Sequence, residues 1–168
     1  MLTKDEVCAS LLHEYRNIRQ LIGKLPAGSE DDRISPTQRS TIELLQYLLM
    51  LGPGVLHAAN DGGFKWFEEN GPRCQSVTFK EAPEYVDGAM AEMEHLFSLW
   101  SEEEFTTREV TVPGMGTWTL QGWVLNTLCK FLPAYKLQLF HHAKASGNTD
   151  LNTWDAWFDD GQADRPAG

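Results

Sequence analysis

Five histidines are the chain's most obvious candidates for metal binding or catalysis. His141 and His142 are adjacent, and adjacent residues on a helix point about 100° apart, so one metal ion cannot easily take both. His13 and Glu14 begin the H-E-x-x-H motif of zinc proteases, but Asn17 stands where the second histidine belongs. We therefore expect His141 and His142 to be hydrogen-bonded or exposed side chains, and we predict no zinc-protease site.

The remaining candidates are single residues or one short motif. Glu92-Met93-Glu94-His95 contains Glu-x-x-His, which places a carboxylate and an imidazole on one helix face in di-iron bundles. Such sites need a second copy, which the chain lacks, so a solvated acidic face is favoured. His57 lies near Gly52-Pro53-Gly54, and a structural role is favoured over a pocket role. Cys129 has no histidine near it in sequence, which favours an inert buried thiol.

Composition excludes several classes of protein. The 168 residues suit one domain, and the net charge of −10 opposes binding to nucleic acid or to an anionic membrane. Cys8, Cys74 and Cys129 form no C-x-x-C motif and suit a reducing compartment. The first ten residues lack the apolar run of a secretory signal, and the apolar residues 44–59 fall short of the ~20 that span a bilayer. We expect a cytoplasmic protein.

Helical periodicity predicts an all-α protein with four long helices in a single domain, residues 1–168. The expected helices cover residues 4–23, 36–59, 83–100 and 119–146. Thr3 and Glu6 form a capping box for the first helix, and Ser35 with Gln38 predicts a second box at the start of the next. Gly147 should end the last helix.

Prolines and long connections modify this simple bundle. We expect Gly52-Pro53-Gly54 to kink or interrupt the second helix, and Pro133 to kink or restart the fourth. Residues 60–82 should contain a short helix, because their aromatic residues need cover. Residues 108–112 alternate polar and apolar side chains and should form a short extended arm. The aromatic residues in question are Phe64, Trp66 and Phe67.

Three stretches together resemble the DinB-like superfamily of four-helix bundles: RSTIELLQYL at residues 39–48, AYKLQLF at 134–140 and NTWDAW at 152–157. The resemblance extends over nearly the whole chain, with its long crossover loops and aromatic C-terminal tail. It implies a divalent metal, such as zinc or nickel, held by one histidine of helix two and two of helix four. It also implies thiol-dependent transfer or isomerisation.

Matching this chain to those motifs places Tyr47, Phe131 and Tyr135 at the three ligand positions. A phenol is a rare ligand for zinc or nickel and a phenyl ring is none, so we expect no transition metal there. We expect instead a pocket lined by these three rings, with water, buffer or a small organic ligand inside. Three further residues should neighbour that pocket: His57, Pro133 and Gln138.

Three hypotheses for function follow. The first is a DinB-like protein without the metal site that binds a small molecule in an aromatic-lined pocket. The second is a thiol transferase or isomerase with a relocated metal site, built from His57 with His13 or His95. The third is an interaction module that docks through the acidic aromatic tail, although packing of its tryptophans on their own bundle is favoured. The tail residues are Trp154, Trp157, Phe158, Asp159 and Asp160.

We also expect a homodimer. The resemblance favours a two-fold pair joined through helix faces. In addition, the second helix is apolar nearly all round and needs more cover than one bundle stripe supplies.

Overall fold

A computed structural model describes residues 2–158 of the chain. Within that range four long helices form the bundle, and each packs on two neighbours in the cyclic order α1, α4, α2, α7. The all-α prediction is therefore confirmed. The α-helices are α1 (Lys4–Ile22), α2 (Thr41–Asp61), α3 (Lys65–Gln75), α4 (Ala82–Ser98), α5 (Glu102–Thr107), α6 (Leu120–Asn126) and α7 (Leu128–Ala145). The strands are β1 (Glu109–Val112) and β2 (Gly116–Thr119), and a 3-10 helix covers Thr153–Ala156.

Helix α1 begins as its sequence predicts. The Thr3 hydroxyl accepts from the Glu6 backbone N–H, and the Glu6 carboxylate accepts from the Thr3 backbone N–H at 2.8 Å. These bonds satisfy two of the donors that a helix N-terminus leaves unpaired. The apolar stripe of α1 is fully buried against α4 and α7.

The second helix starts later than its sequence suggests. Ser40, not Ser35, is the N-cap: its hydroxyl accepts from the Glu43 N–H, and the Glu43 carboxylate accepts from the Ser40 N–H at 2.8 Å. The following N–H, that of Thr41, donates to the carbonyl of Asp32 at 3.0 Å. The preceding loop therefore supplies an acceptor for the first turn of α2, and residues 36–40 lie outside the helix.

Gly52-Pro53-Gly54 does not interrupt α2, which is continuous from Thr41 to Asp61. The Tyr15 hydroxyl donates to the Leu48 carbonyl at 2.8 Å and accepts from the Gly52 N–H at 2.9 Å. It bridges the two groups that pair directly in a regular α-helix, so both stay satisfied beside Pro53. A Cβ on Gly52 would lie 2.5 Å from that hydroxyl, so only glycine admits the tyrosine.

Helix α2 is the central helix of the bundle. It packs against α3, α4, α7, α6 and β1 of its own chain. By length and composition it resembles a membrane span, but 67% of its most apolar 18-residue stretch is buried inside the protein. That pattern is typical of the core helix of a soluble bundle.

Both long connections contain extra structure. Residues 60–82 include α3, as their aromatic residues predict, and the Phe67 ring of α3 packs directly over Gly54 of α2. Residues 108–112 include the extended strand β1, whose Val110 and Val112 are buried. Its antiparallel partner β2 was not predicted; Val110 pairs with Trp118 in this hairpin.

The last long helix breaks at Thr127 rather than at Pro133. Thr127 has φ −112° and ψ −81°, which separates α6 from α7, and its hydroxyl donates to the Trp123 carbonyl at 2.6 Å. Pro133 lies inside α7, beyond its first turn. The end of α7 agrees with its sequence: Gly147 has φ +109°, and the Asn148 N–H donates to the Ala143 carbonyl, as in a Schellman cap.

Candidate functional site

Tyr47 of α2 and Tyr135 of α7 meet at the position where the family resemblance implies a metal centre. Their ring centroids are 4.9 Å apart with an interplanar angle of 69°, an edge-to-face contact, and both side chains are half-buried. Thr41 at the start of α2 is hydrogen-bonded to His142 near the end of α7, which shows that the two helices run in opposite directions. This antiparallel packing places Tyr47 opposite Tyr135.

Arg39 covers this pair of phenols. Its guanidinium carbon lies 4.2 Å from the Tyr47 ring centroid and 5.8 Å from that of Tyr135. Burial raises the pKa of Tyr47, the neighbouring Tyr135 raises it further, and the Arg39 charge opposes the shift. A side-chain hydrogen bond with Tyr135 also raises this pKa, so the Tyr47 phenol is neutral at physiological pH and engaged with its neighbour.

The space beside Tyr47 is a cleft with a volume of ≈ 420 Å³. We call it the Tyr47 cleft. Glu43 at its edge is already engaged, since it caps α2 and pairs with Arg33 at 2.9 Å. Gln46 donates to the Val77 carbonyl at 2.9 Å. The lining residues are Arg39, Glu43, Gln46, Tyr47, Met50 and Gln75.

Phe131 does not join the aromatic pair, contrary to the expectation that it lies inside the bundle. Its side chain is 38% exposed. The buried face of α7 is centred on Leu132, Lys136 and Leu139, so Phe131 and Tyr135 lie on its flank. Tyr47 and Arg39 cover Tyr135 on that flank, whereas Phe131 is left partly exposed.

The three expected pocket neighbours do not line the Tyr47 cleft. Gln138 is exposed and borders a separate depression with Ile34 and His141. Pro133 is half-buried within α7. His57 donates from Nε2 to the Glu92 carboxylate at 2.8 Å and is thereby bound to α4.

A second cavity, of ≈ 430 Å³, lies between α2, α3 and α4. We call it the Glu92 cleft. The Oε1 atom of Glu92 accepts both from His57 Nε2 and from Trp66 Nε1, the latter at 3.1 Å, and the His57 and Trp66 rings stack at 5.6 Å. Its lining includes Trp66, Arg73, Cys74, Glu84, Tyr85 and Glu92. The sequence singled out Glu92 and His57 separately, but no local signal placed them together.

The Glu92 cleft has an unreactive thiol in its wall. Burial raises the pKa of Cys74, with Arg73 opposing and Glu92 adding to the shift. The thiol is therefore protonated at neutral pH and acts as a small apolar surface, not as a nucleophile.

The histidines considered for a relocated metal site do not converge. His57 bonds to Glu92, His13 donates from Nε2 to the Trp157 carbonyl at 2.8 Å, and His95 is exposed. Across residues 2–158, no three His, Cys, Asp or Glu side chains lie together in a group that could hold a metal ion.

A buried ion pair lies on a different side of α7 from the Tyr47 cleft. Lys136 Nζ is 2.6 Å from the Glu14 carboxylate; the lysine side chain is 0% exposed and that of Glu14 15%. The angle between these groups is not that of a hydrogen bond. The Trp157 ring lies over the ammonium group at 4.7 Å. Glu14 also adds to burial in raising the pKa of Cys129, in agreement with an inert thiol.

The described part of the C-terminal tail packs on its own bundle. Its 3-10 helix contacts α1 and α7, and the buried Asp155 pairs with Lys24 at 2.5 Å. The Trp157 carbonyl accepts from Asn17 at 3.1 Å as well as from His13. Asp159 and Asp160, which belong to the proposed docking segment, lie outside the described residues.

The fold of this bundle is that of a solved DinB-like protein. The chain is similar to the crystal structure of a DinB-like protein from Bacillus subtilis, YjoA, with a TM-score of 0.71. The match covers 92% of this chain and 99% of that one at 15% sequence identity, which shows the fold. No family model matches the sequence, and no curated protein matches it either.

Proposed function

We propose that this DinB-fold protein binds a small organic anion, such as an aromatic carboxylate, in the Tyr47 cleft. The observation that carries the proposal is Arg39: its guanidinium lies on the Tyr47 ring and forms no ion pair with any residue among those described. A guanidinium binds a carboxylate through paired N–H donors, so Arg39 can supply the counter-charge that an anionic ligand needs.

The rest of the cleft suits the body of such a ligand. Tyr47 and Met50 offer apolar surface, and the hydroxyl of Tyr47 adds a polar group that can accept a hydrogen bond. The volume of ≈ 420 Å³ lies within the range of small-molecule sites. A flat carboxylate would place its charge at Arg39 and its ring against these side chains.

We also propose that no transition metal binds at Tyr47, Phe131 and Tyr135, the positions that match the family's metal ligands. A zinc or nickel site takes about three protein ligands, usually imidazoles or thiolates. Tyr47, Phe131 and Tyr135 supply two phenols and a phenyl ring, and the pKa of Tyr47 is raised, which disfavours a tyrosinate ligand. The thiol-dependent chemistry of metal-containing relatives is therefore not part of this proposal.

Titration calorimetry with benzoate, compared with uncharged benzamide, tests the anion preference. We expect benzoate to bind more tightly than benzamide, and Arg39→Gln to abolish the difference. Arg39→Lys keeps the charge without the planar donor pair and should weaken benzoate binding less. Arg19→Gln is the matched control, since Arg19 is engaged with Asp87 at 2.8 Å. Equal affinities for benzoate and benzamide in the unmodified protein would reject the anion site.

Metal analysis of protein purified without a histidine tag tests the other half of the proposal. We expect substoichiometric zinc and nickel. One tightly bound equivalent that is lost in Tyr135→Phe would contradict the proposal and support a metalloenzyme.

We propose a homodimer as the assembly state. The argument from the apolarity of α2 is weaker than the sequence suggested, because α3 and β1 cover much of that helix. Sedimentation at low micromolar concentration should give a species of twice 19.0 kDa. A monomer alone would contradict the dimer and leave the ligand proposal intact.

A further inference from the structure

The Glu92 cleft contains charges of opposite sign that do not meet. Arg73 on α3 and Glu92 on α4 line the same cavity, yet among the described residues Arg73 forms no ion pair with Glu92 or Glu84. Arg73 contacts only the Tyr85 ring through its guanidinium, at 5.7 Å. The Arg73 charge is therefore available to a ligand, whereas Glu92 is already contacted by His57 through Oε1, one of its two oxygens.

Glu92 is held in place for such a contact. His57 and Trp66 both donate to its Oε1 atom, which fixes the carboxylate in one orientation. Its Oε2 atom takes no hydrogen bond from the part of the chain that the structure describes, and the side chain is partly exposed on the cavity. A preorganised carboxylate with one unused oxygen is suited to an ammonium group.

Part of the cavity wall is apolar. Leu49 and Pro53 of α2 and Ala89 of α4 line the cavity, and the neutral Cys74 thiol adds to this surface. The volume of ≈ 430 Å³ is large enough for a small metabolite with an apolar side chain.

We propose that the Glu92 cleft is a second ligand site, for a zwitterion of the amino-acid class with an apolar side chain. Glu92 would take the ammonium group, Arg73 the carboxylate, and the surface around Leu49 the side chain. A ligand with both charges satisfies both protein groups at once, whereas a singly charged ligand leaves one of them desolvated without a partner.

The test compares L-phenylalanine with two analogues that each lack one charge, phenethylamine and 3-phenylpropanoate. Titration calorimetry should show phenylalanine binding at least about tenfold more tightly than either analogue. Glu92→Gln keeps the shape and the acceptor for His57 and Trp66, so it should remove the preference for phenylalanine over 3-phenylpropanoate. Arg73→Gln should remove the preference over phenethylamine.

The controls separate this site from the Tyr47 cleft and from changes in folding. Glu94→Gln on α4 and Lys65→Gln on α3 change exposed charges on the same two helices and should leave phenylalanine binding unchanged. Arg39→Gln should also leave it unchanged while abolishing the benzoate preference. Because Arg73 is exposed, Arg73→Gln should fold normally.

Three outcomes would overturn the proposal. One is an analogue with a single charge that binds as tightly as phenylalanine. Another is unchanged phenylalanine affinity in both Glu92→Gln and Arg73→Gln. The third is no saturable binding of phenylalanine or leucine at low-millimolar concentration.

Discussion

Tyr135 and Lys136 are neighbours in sequence but face different sides of α7. Tyr135 is half-buried against Tyr47, and the Arg39 guanidinium lies 5.8 Å from its ring centroid. Lys136 is itself a cation and is completely buried, in contact with Glu14 and covered by Trp157. A rotation of about 100° between successive residues is enough to separate the two environments.

The comparison shows how the pairing of a charge distinguishes a structural site from a binding site. The Lys136 ammonium has a carboxylate at 2.6 Å and an aromatic ring above it, so its charge is compensated from within the protein. Arg39 rests on aromatic rings and has no carboxylate partner among residues 2–158. The first arrangement stabilises the contact between α1 and α7, and the second is available to a ligand.

The largest expected effect on stability is at the buried ion pair of Glu14 and Lys136. Glu14→Gln should lower the free energy of unfolding by about 3–5 kcal/mol, because it leaves the Lys136 charge buried without compensation. Urea unfolding followed by far-UV circular dichroism measures this change. The double variant Glu14→Leu/Lys136→Met removes both charges and should recover most of the loss. A single Glu14→Gln variant as stable as the unmodified protein would show that the pair is not effectively buried.

The second effect on stability is expected at Tyr15, whose buried hydroxyl has a structural role that those of Tyr47 and Tyr135 lack. Tyr15→Phe should lower the free energy of unfolding by about 1–3 kcal/mol, since it removes the hydroxyl that bridges Leu48 and Gly52 in a buried position. Chemical unfolding gives the value. A change below about 0.5 kcal/mol would mean that Leu48 and Gly52 pair directly once the hydroxyl is gone.

A smaller, pH-dependent effect on stability is expected at His142, which lies two helical turns after Tyr135 on α7. His142 is buried and hydrogen-bonded to Thr41 at 3.0 Å, and burial lowers its pKa while Asp32 partly opposes the shift. The folded protein therefore binds fewer protons at this site than the unfolded chain. The stabilisation is present above about pH 6.5 and is lost as the pH falls towards the lower folded-state pKa.

His142→Gln isolates this contribution from that of other titrating groups. Thermal unfolding at about pH 7.5 and about pH 5.5 should show a smaller difference in Tm for His142→Gln than for the unmodified protein. The exposed His141→Gln is the matched control and should retain the full difference. Identical pH dependence in all three proteins would contradict the buried neutral state of His142.

The smallest effect on stability is expected at the Tyr47–Tyr135 pair. Tyr47→Phe and Tyr135→Phe keep the edge-to-face rings and should change the free energy of unfolding by less than about 0.5 kcal/mol. Tyr47→Phe should nevertheless weaken benzoate binding, because it removes a polar group from the cleft. Chemical unfolding and calorimetry on the same preparations separate the two effects. A large loss of stability would assign the phenols to the structure, as with Tyr15.

Local signals account for the parts of the fold that could be predicted. The Thr3–Glu6 box, the stripe of α1 and the glycine cap at Gly147 depend on residues a few positions apart, so they are readable from the sequence. The start of α2 was misplaced because Ser35 and Ser40 both carry cap signals. The choice between them depends on the loop carbonyl of Asp32, which bonds to Thr41.

Motif matching, unlike periodicity, placed Tyr47 and Tyr135 at equivalent positions on two distant helices, and these residues are in contact. It also placed Phe131 there, and that assignment was wrong. A spacing of four residues places two side chains, such as Phe131 and Tyr135, on one side of a helix. It does not show whether the neighbouring helix covers both of them. Arg39 was missed for a related reason, since its position depends on the loop before α2.

The sequence by itself determined the four long helical regions, the caps at Thr3 and Gly147 and the tyrosine that each of two helices offers, because these follow from propensities and spacings within a few residues. Only the tertiary structure decided which charges are paired. Glu14 meets Lys136, and His57 meets Glu92, across long separations in sequence, while Arg39 and Arg73 meet no carboxylate in the described chain. Pairing at that range depends on the angles and distances between packed helices, and no local pattern encodes them.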